Sequence, residues 1–183
     1  AYSDYLKGME MIKALYREVA EKTFGTTTFT IKGFTVDLAS EWHLYDFCAL
    51  IKEAYAIDPL ATDLASIEQA LQTHDLPYDK ATLSIERGVD LLWKKIRKTL
   101  GGPGFLVNVP TYLEPLAKKN RDGSDTVERF QVIIAGSEVG KGFSELNDPV
   151  DQKERFMRQQ ALRDAGDDEA QMTFLAVRRW LGW

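Results

Sequence analysis

Residues 129–152 constrain the fold of this chain more than any other segment. They read RFQVIIAGSEVGKGFSELNDPVDQ, with β-type runs on both sides of Ala135-Gly136. A two-residue connection of this kind predicts a β-hairpin with strands at 128–134 and 137–146. The chain must therefore build a sheet around this hairpin.

Apolar periodicity and turn residues divide the rest of the chain into helices and strands. Helices are predicted from an N-cap at Ser3 to Phe24, from Leu44 to Tyr55, from Leu64 to Leu71, from Lys80 to Leu100, and from Asp148, with Pro149 as first helical residue, to Asp164. A second hairpin is predicted for 26–38, turning at Lys32-Gly33, and a strand for 105–109. This order predicts one α+β domain over 1–183, with a mainly antiparallel sheet flanked by helices.

Composition excludes several broad classes of protein. The 183 residues suffice for one core, and no apolar run approaches the roughly 18 residues that a membrane span needs. The single cysteine, Cys48, is typical of a reducing, cytoplasmic setting. The net charge of −5 disfavours generic binding to nucleic acid, although a local basic face could still contact RNA. We interpret the basic helix segment 94–98 as a solvated face.

Strand pairing places candidate ligand-binding residues on defined faces of the hairpin. With a turn at Ala135-Gly136, Ile133 pairs with Glu138 and Gln131 pairs with Gly140. Gln131 and Glu138 then share one face, because directly opposed residues point the same way. Glu138 is a candidate magnesium ligand, since this ion prefers carboxylate oxygens and bridges nucleotide phosphates.

In this regular ladder, the face opposite Gln131 and Glu138 carries the side chains of Lys141, Phe143 and Glu145. Gly140 and Gly142 lie between them, where they would leave room for a ligand or a close backbone. A carboxylate beside an aromatic ring suits a ligand with an ammonium group and an aliphatic stem. The alternative is that Glu138 and Glu145 are solvated and that Phe143 belongs to the core.

Several motifs resemble the catalytic core of class II lysyl-tRNA synthetases, and the resemblance runs from Ala1 to about Met172. The motifs are E-(I/L/V)-G-x-G-(F/Y)-S-E-L-N-D-P-x-D-Q at 138–152, A-Y-x-D-Y at 1–5, S-P-L-A-(K/R) ending at Pro115–Lys118, and (E/D)-A-G-D-(D/E)-E-A at 164–170. The related aspartyl and asparaginyl enzymes lack the F-S-E-L-N-D-P-x-D-Q run, which favours the lysine branch.

The resemblance implies a role for each candidate residue. Glu145 would hold the ammonium group of lysine, Phe143 would pack on the substrate, and Glu138 would bind Mg²⁺ with ATP. Gln131 stands where the family has a second metal-binding acid, and it would offer the ATP-bound metal ion a carbonyl oxygen without the charge. Lys141 stands where the family has an asparagine. Lys141 could contact a phosphate or the substrate carboxylate, or it could pair with Glu145.

The resemblance also implies an irregular strand. Glu138-type and Glu145-type residues face one active site in the family, although their numbers have opposite parity. We therefore predict a β-bulge or local twist within 139–142, which the glycines there permit.

The family's activity would be ATP-dependent activation of lysine, followed by its transfer to tRNA(Lys) by a homodimer. Its anticodon-binding domain and motif 1 have no counterpart in this chain, and the motif 2 and motif 3 arginines lie outside the matching residues. Residues 173–183 do not resemble the family's continuation. We expect little adenylate formation by this chain alone. Two alternatives are a paralogue that attaches a lysine-type amino acid to elongation factor P, and a non-catalytic remnant that binds a ligand or partner.

Overall fold

The computed structural model describes residues 4–164. The predicted cap Ser3, the motif from residue 165 onwards and the segment 173–183 lie outside the described residues. The first helix, α1, is Tyr5–Phe24, and Asp4 caps it by accepting a hydrogen bond from the Lys7 amide. Gly25, with φ of 68°, ends the helix in the left-handed conformation that glycine tolerates. The helix therefore ends where predicted, but its cap is Asp4 rather than Ser3.

Four further α-helices, a short 3-10 helix at Thr111–Leu113 and six strands complete the described chain. The helices are α2 Phe47–Tyr55, α3 Leu64–Thr73, α4 Ile85–Arg97 and α5 Pro149–Asp164. The strands are β1 Thr28–Ile31, β2 Phe34–Asp37, β3 His43–Asp46, β4 Gly104–Val107, β5 Arg129–Ile134 and β6 Ser137–Phe143. Within residues 4–164, no helix is long and apolar enough to cross a membrane.

The strands form a four-stranded sheet and a separate hairpin. The sheet has the order β3-β4-β5-β6, in which β3 and β4 are parallel and the other two pairings are antiparallel. Among residues 4–164, strands β1 and β2 pair only with each other, around the predicted Lys32-Gly33 turn. The α+β prediction with a mainly antiparallel sheet is therefore confirmed.

Helices or strands cover both faces of the sheet. On one face, Leu106 and Ile133 pack in a core cluster with residues of α2, α3 and α4. On the other face, Phe105, Phe130 and Val132 pack with α1 and the β1-β2 hairpin. This alternation along β4 and β5 follows the two-residue period of strands. We call the first face, on which Leu106 and Ile133 lie, the α4 face.

Two predicted helices begin later than expected. Residues 43–46, at the predicted start of the second helix, are strand β3, which pairs in parallel with β4. Asp46 then caps α2 by accepting a hydrogen bond from the Ala49 amide. The helix predicted from Lys80 begins at Ile85, because the Ser84 side chain accepts from the Arg87 amide and sets the N-terminus there.

The β5-β6 hairpin has the predicted turn and the predicted β-bulge. Ala135 and Gly136 both have positive φ, 48° and 68°, as a type I′ turn requires. Ile133 pairs with Glu138 as expected, but Val132 pairs with Gly140, so Val139 is an extra residue in β6. The predicted bulge is thus confirmed.

Candidate functional site

The bulge changes which side chains share a face. After Val139, the ladder pairs Gln131 with Lys141 and Arg129 with Phe143. The predicted pairing of Gln131 with Gly140 is therefore wrong. Glu138, Lys141 and Phe143 all lie on the α4 face with Gln131, because one inserted residue reverses the parity of everything beyond it.

A cavity of about 330 Å³ lies between the α4 face of β5-β6 and helix α4. Three of the five predicted site residues line it, namely Gln131, Glu138 and Lys141. Helix α4 contributes Glu86, Arg87, Asp90, Trp93 and Lys94, and the segment before β5 contributes Tyr112 and Glu114. The cavity is mixed in charge, since acids and bases both line it.

Glu138 is held by two groups of α4. Its Oε1 accepts a hydrogen bond from Trp93 Nε1 at 2.8 Å, and its Oε2 lies 2.9 Å from Arg97 Nη1. The Glu138 side chain is 27% exposed and that of Arg97 is 23% exposed. The interpretation of residues 94–98 as a solvated face is therefore wrong for Arg97, whose guanidinium binds the predicted site residue Glu138.

A second cluster forms around Glu114, which is 8% exposed. Its Oε1 lies 2.5 Å from Arg129 Nη1, and Lys141 Nζ lies 2.9 and 2.8 Å from its two oxygens. Arg129 also donates a hydrogen bond to the side-chain oxygen of Gln131. Lys141 thus pairs with Glu114. It does not pair with Glu145, and that pairing was one of the alternatives that the sequence left open.

Arg129 carries the buried positive charge of this cluster. Only 5% of the residue is exposed. Burial lowers the pKa of its guanidinium, whereas the negative charges of Glu114 and Glu138 act in the opposite direction. The group stays protonated at neutral pH, since arginine starts from a very high pKa. Glu114 therefore supplies the charge that makes burial of this arginine tolerable.

Phe143 and Glu145 do not line the cavity. Phe143 ends β6 and is 40% exposed, on the same face as Lys141 and Arg129. Glu145 is exposed just past β6, where its backbone forms an isolated bridge with Ala117. Of the three residues predicted to bind lysine, the structure thus places Lys141 inside the cavity and Phe143 and Glu145 outside it.

The two glycines of β6 serve the core rather than a ligand. A Cβ at Gly142 would lie 2.5 Å from the ring of Phe130, and one at Gly140 would lie 3.2 Å from Val132 and 3.3 Å from the Tyr16 hydroxyl. Those neighbours belong to the cluster on the face opposite α4. The predicted open space beside a ligand is therefore filled by core side chains.

Sequence reasoning missed four residues of the site, namely Trp93, Arg97, Glu114 and Arg129. One of them had a usable signal. By the resemblance, Glu114 stands before Pro115 at the position where the S-P-L-A-(K/R) motif has serine, which makes it a third departure besides Gln131 and Lys141. Trp93 and Arg97 lie on a helix 45 and 41 positions before Glu138, so no local pattern connects them to it.

Comparison with known proteins identifies the family. Residues 1–180 match the family model described as tRNA synthetases class II (D, K and N). This match covers nearly the whole chain. The chain belongs to the class II tRNA synthetases of this group.

Relatives place this class II synthetase chain beside lysine–tRNA ligases. It is 39% identical over 175 residues to the lysine–tRNA ligase of Thermosipho africanus, covering 94% of this chain and 34% of that protein. The corresponding protein of Roseiflexus castenholzii is 39% identical over 173 residues, covering 93% and 35%. That of Thermotoga maritima is 34% identical over 184 residues, covering 99% and 36%. The chain spans about a third of the length of these curated relatives.

Synthetases of this class use ATP and Mg²⁺ in general, so the fit of the magnesium ion can be tested. Gln131 lacks a charge, and its side-chain oxygen already accepts from Arg129. Both oxygens of Glu138 are engaged by α4. Within residues 4–164, no three His, Cys, Asp or Glu side chains are grouped to hold a metal ion. The cavity as it stands does not fit the predicted pair of magnesium ligands.

Proposed function

We propose that this chain forms part of a lysine–tRNA ligase catalytic domain, which activates lysine with ATP and transfers it to tRNA(Lys). The observation that carries the proposal is the bulge at Val139. It turns Glu138 onto the same face of the hairpin as Lys141 and Phe143. A shared active site needs this arrangement, and a regular ladder would not produce it.

We assign lysine to the end of β6. The Glu145 carboxylate is exposed and is suited to an ammonium group, and the half-exposed ring of Phe143 is suited to the methylene stem. Since neither side chain lines the cavity, the lysine site lies beside it rather than within it.

We assign the nucleotide to the cavity on the α4 face. Arg87, Arg129 and Lys141 line it and carry positive charge, which suits phosphate oxygens. Their chemical contribution would be to position the phosphates and to stabilise charge that develops during adenylate formation.

The remaining parts of the proposal follow the family. We propose a single partial catalytic domain over 1–183, acting in the cytoplasm, with any dimer contacts and anticodon recognition supplied by other sequence. The names of the relatives support this function and do not favour the elongation factor P paralogue or the non-catalytic remnant.

Lysine binding by isothermal titration calorimetry tests the proposal. We expect Glu145→Gln to weaken lysine binding about tenfold to a hundredfold, since a hydrogen bond to a charged group contributes about 1.5–3 kcal/mol. Glu10→Gln, an exposed acid on α1, is the matched control and should leave binding unchanged. Leucine has an aliphatic side chain without the ε-ammonium group of lysine and should not bind. Equal affinity of the Glu145→Gln variant and the unaltered chain would contradict the proposal.

A further inference from the structure

Three departures from the family pattern meet in one cluster of side chains. By the resemblance to the class II lysyl-tRNA synthetases, Glu114 stands where the S-P-L-A-(K/R) motif has serine, Gln131 where the family has an acid, and Lys141 where it has asparagine. In the structure Lys141 contacts Glu114, and Arg129 bridges Glu114 to Gln131. The three departures therefore form one connected arrangement and are not three independent losses.

Compared with the family pattern, this arrangement places the negative charge at position 114 instead of 131 and adds a positive charge at position 141. The acid missing at position 131 reappears at Glu114, which still neutralises buried Arg129. Lys141 supplies a second cation against that single carboxylate, so Glu114, Arg129 and Lys141 together carry a net charge of +1. The cluster lines the cavity and holds this charge next to it.

This charge is fixed in place and is not fully satisfied. Lys141 Nζ lies within 2.9 Å of both Glu114 oxygens, which orients its four-carbon side chain. The Lys141 side chain remains 44% exposed and is therefore accessible. Arg129, although 95% buried, has an Nε atom with no hydrogen-bond partner among residues 4–164. A buried donor of this kind is costly unless something binds it.

We propose that Lys141, oriented by Glu114, is a built-in cation that takes the place of a divalent metal ion in this cavity. A phosphate-bearing ligand, the triphosphate of a nucleotide, then binds without magnesium. Lysine acts as a point charge toward phosphate, so its ammonium group can neutralise phosphate oxygens that a metal ion would otherwise bridge. This inference rests on the proposed nucleotide site, but not on the assignment of lysine to Glu145.

Two binding measurements on the unaltered chain test the proposal. ATP binding is measured by calorimetry in EDTA and in excess Mg²⁺, and Mn²⁺ binding is measured by electron paramagnetic resonance without nucleotide. We expect ATP affinity to agree within about twofold between the two conditions and Mn²⁺ to remain free. An affinity about tenfold higher with Mg²⁺, or Mn²⁺ binding at the cavity, would overturn the inference.

Variants test whether the charge of Lys141, rather than a change in folding, controls ATP binding. Lys141→Met should weaken ATP binding in EDTA by about tenfold, whereas Lys95→Met, on an exposed part of α4, should not. Combining Glu114→Ser, Gln131→Glu and Lys141→Asn restores the family pattern, and it should give Mn²⁺ binding and a magnesium requirement for ATP. Circular dichroism checks that each variant is folded.

The outcomes distinguish this inference from the proposed function. Unchanged ATP binding by Lys141→Met would overturn the inference, as would absence of ATP binding in both conditions. Retained lysine binding in those cases would leave the lysine assignment intact. Loss of lysine binding with magnesium-independent ATP binding would overturn the lysine assignment and support the built-in cation.

Discussion

Replacing Glu114 by glutamine removes the only carboxylate that contacts Arg129 among residues 4–164. Arg129 is 5% exposed, so its charge would remain buried without a partner. Removing one member of a buried ion pair costs about 3–5 kcal/mol of unfolding free energy. Glutamine keeps an acceptor oxygen for Arg129, which points to the lower end, about 3 kcal/mol. Lys141 adds about 1 kcal/mol at most, because it is 44% exposed.

Urea denaturation followed by circular dichroism measures this change. A loss of about 3 kcal/mol corresponds to a fall in melting temperature of about 6–12 °C for a chain of this size. Lys141→Met is the comparison, and it should lower stability by no more than about 1 kcal/mol because it leaves the Arg129–Glu114 pair intact. Unfolding curves with equal slopes are needed before midpoints are compared.

A double variant tests the reasoning behind the magnitude. Glu114→Gln combined with Arg129→Met removes both buried charges, so it should be less destabilised than Glu114→Gln alone. A double variant whose loss equals the sum of the single losses would refute the explanation by an unpaired buried charge. So would a Glu114→Gln variant as stable as Lys141→Met.

Four further predictions concern other parts of the fold. Gly142→Ala should lower the unfolding free energy by about 1–3 kcal/mol and more than Gly140→Ala, because the new Cβ would overlap the Phe130 ring; equal losses in urea titration would contradict this. Burial raises the pKa of the Cys48 thiol from 9.0 to about 12, so its reaction with a disulfide reagent at pH 8 should be about a thousandfold slower than that of a free cysteine. The contribution of the neutral Cys48 thiol to the unfolding free energy should be complete below pH 9 and should be lost as the pH rises through 12. A Cys48 thiol that reacts at the rate of a free cysteine would refute both statements. Asp4→Ala should cost about 1 kcal/mol by removing the cap of α1, and an unchanged melting temperature would show that the cap contributes nothing.

Local signals predicted the elements whose limits depend on a few neighbouring residues. The Lys32-Gly33 and Ala135-Gly136 turns occur where predicted, because Gly33 and Gly136 adopt positive φ angles, 83° and 68°, without a steric penalty, while Lys32 and Ala135 before them also adopt φ of 48°. Helix α5 begins at Pro149, since Asp148 accepts hydrogen bonds from the first free amides.

Elements that depend on distant partners were predicted less well. Strand β3, residues 43–46, directly precedes α2, and its apolar residues fit the helical spacing of α2, so the sequence does not separate the two elements. Only the parallel pairing of β3 with β4 makes these residues a strand. The position of the bulge followed from the family resemblance, because the alternation of residues in β6 predicts a regular ladder.

The sequence by itself determined the hairpin, its turn and the family, since these reside in contiguous residues whose conformations or motifs are local. Only the tertiary structure decided the chemistry of the cavity. Glu114 meets Arg129 and Lys141 across 15 and 27 positions, and Trp93 meets Glu138 across 45. Local periodicity assigns each side chain to a face of its own element, but which faces meet depends on how the sheet and α4 pack. That packing joins Glu114, Gln131 and Lys141 into one charged cluster.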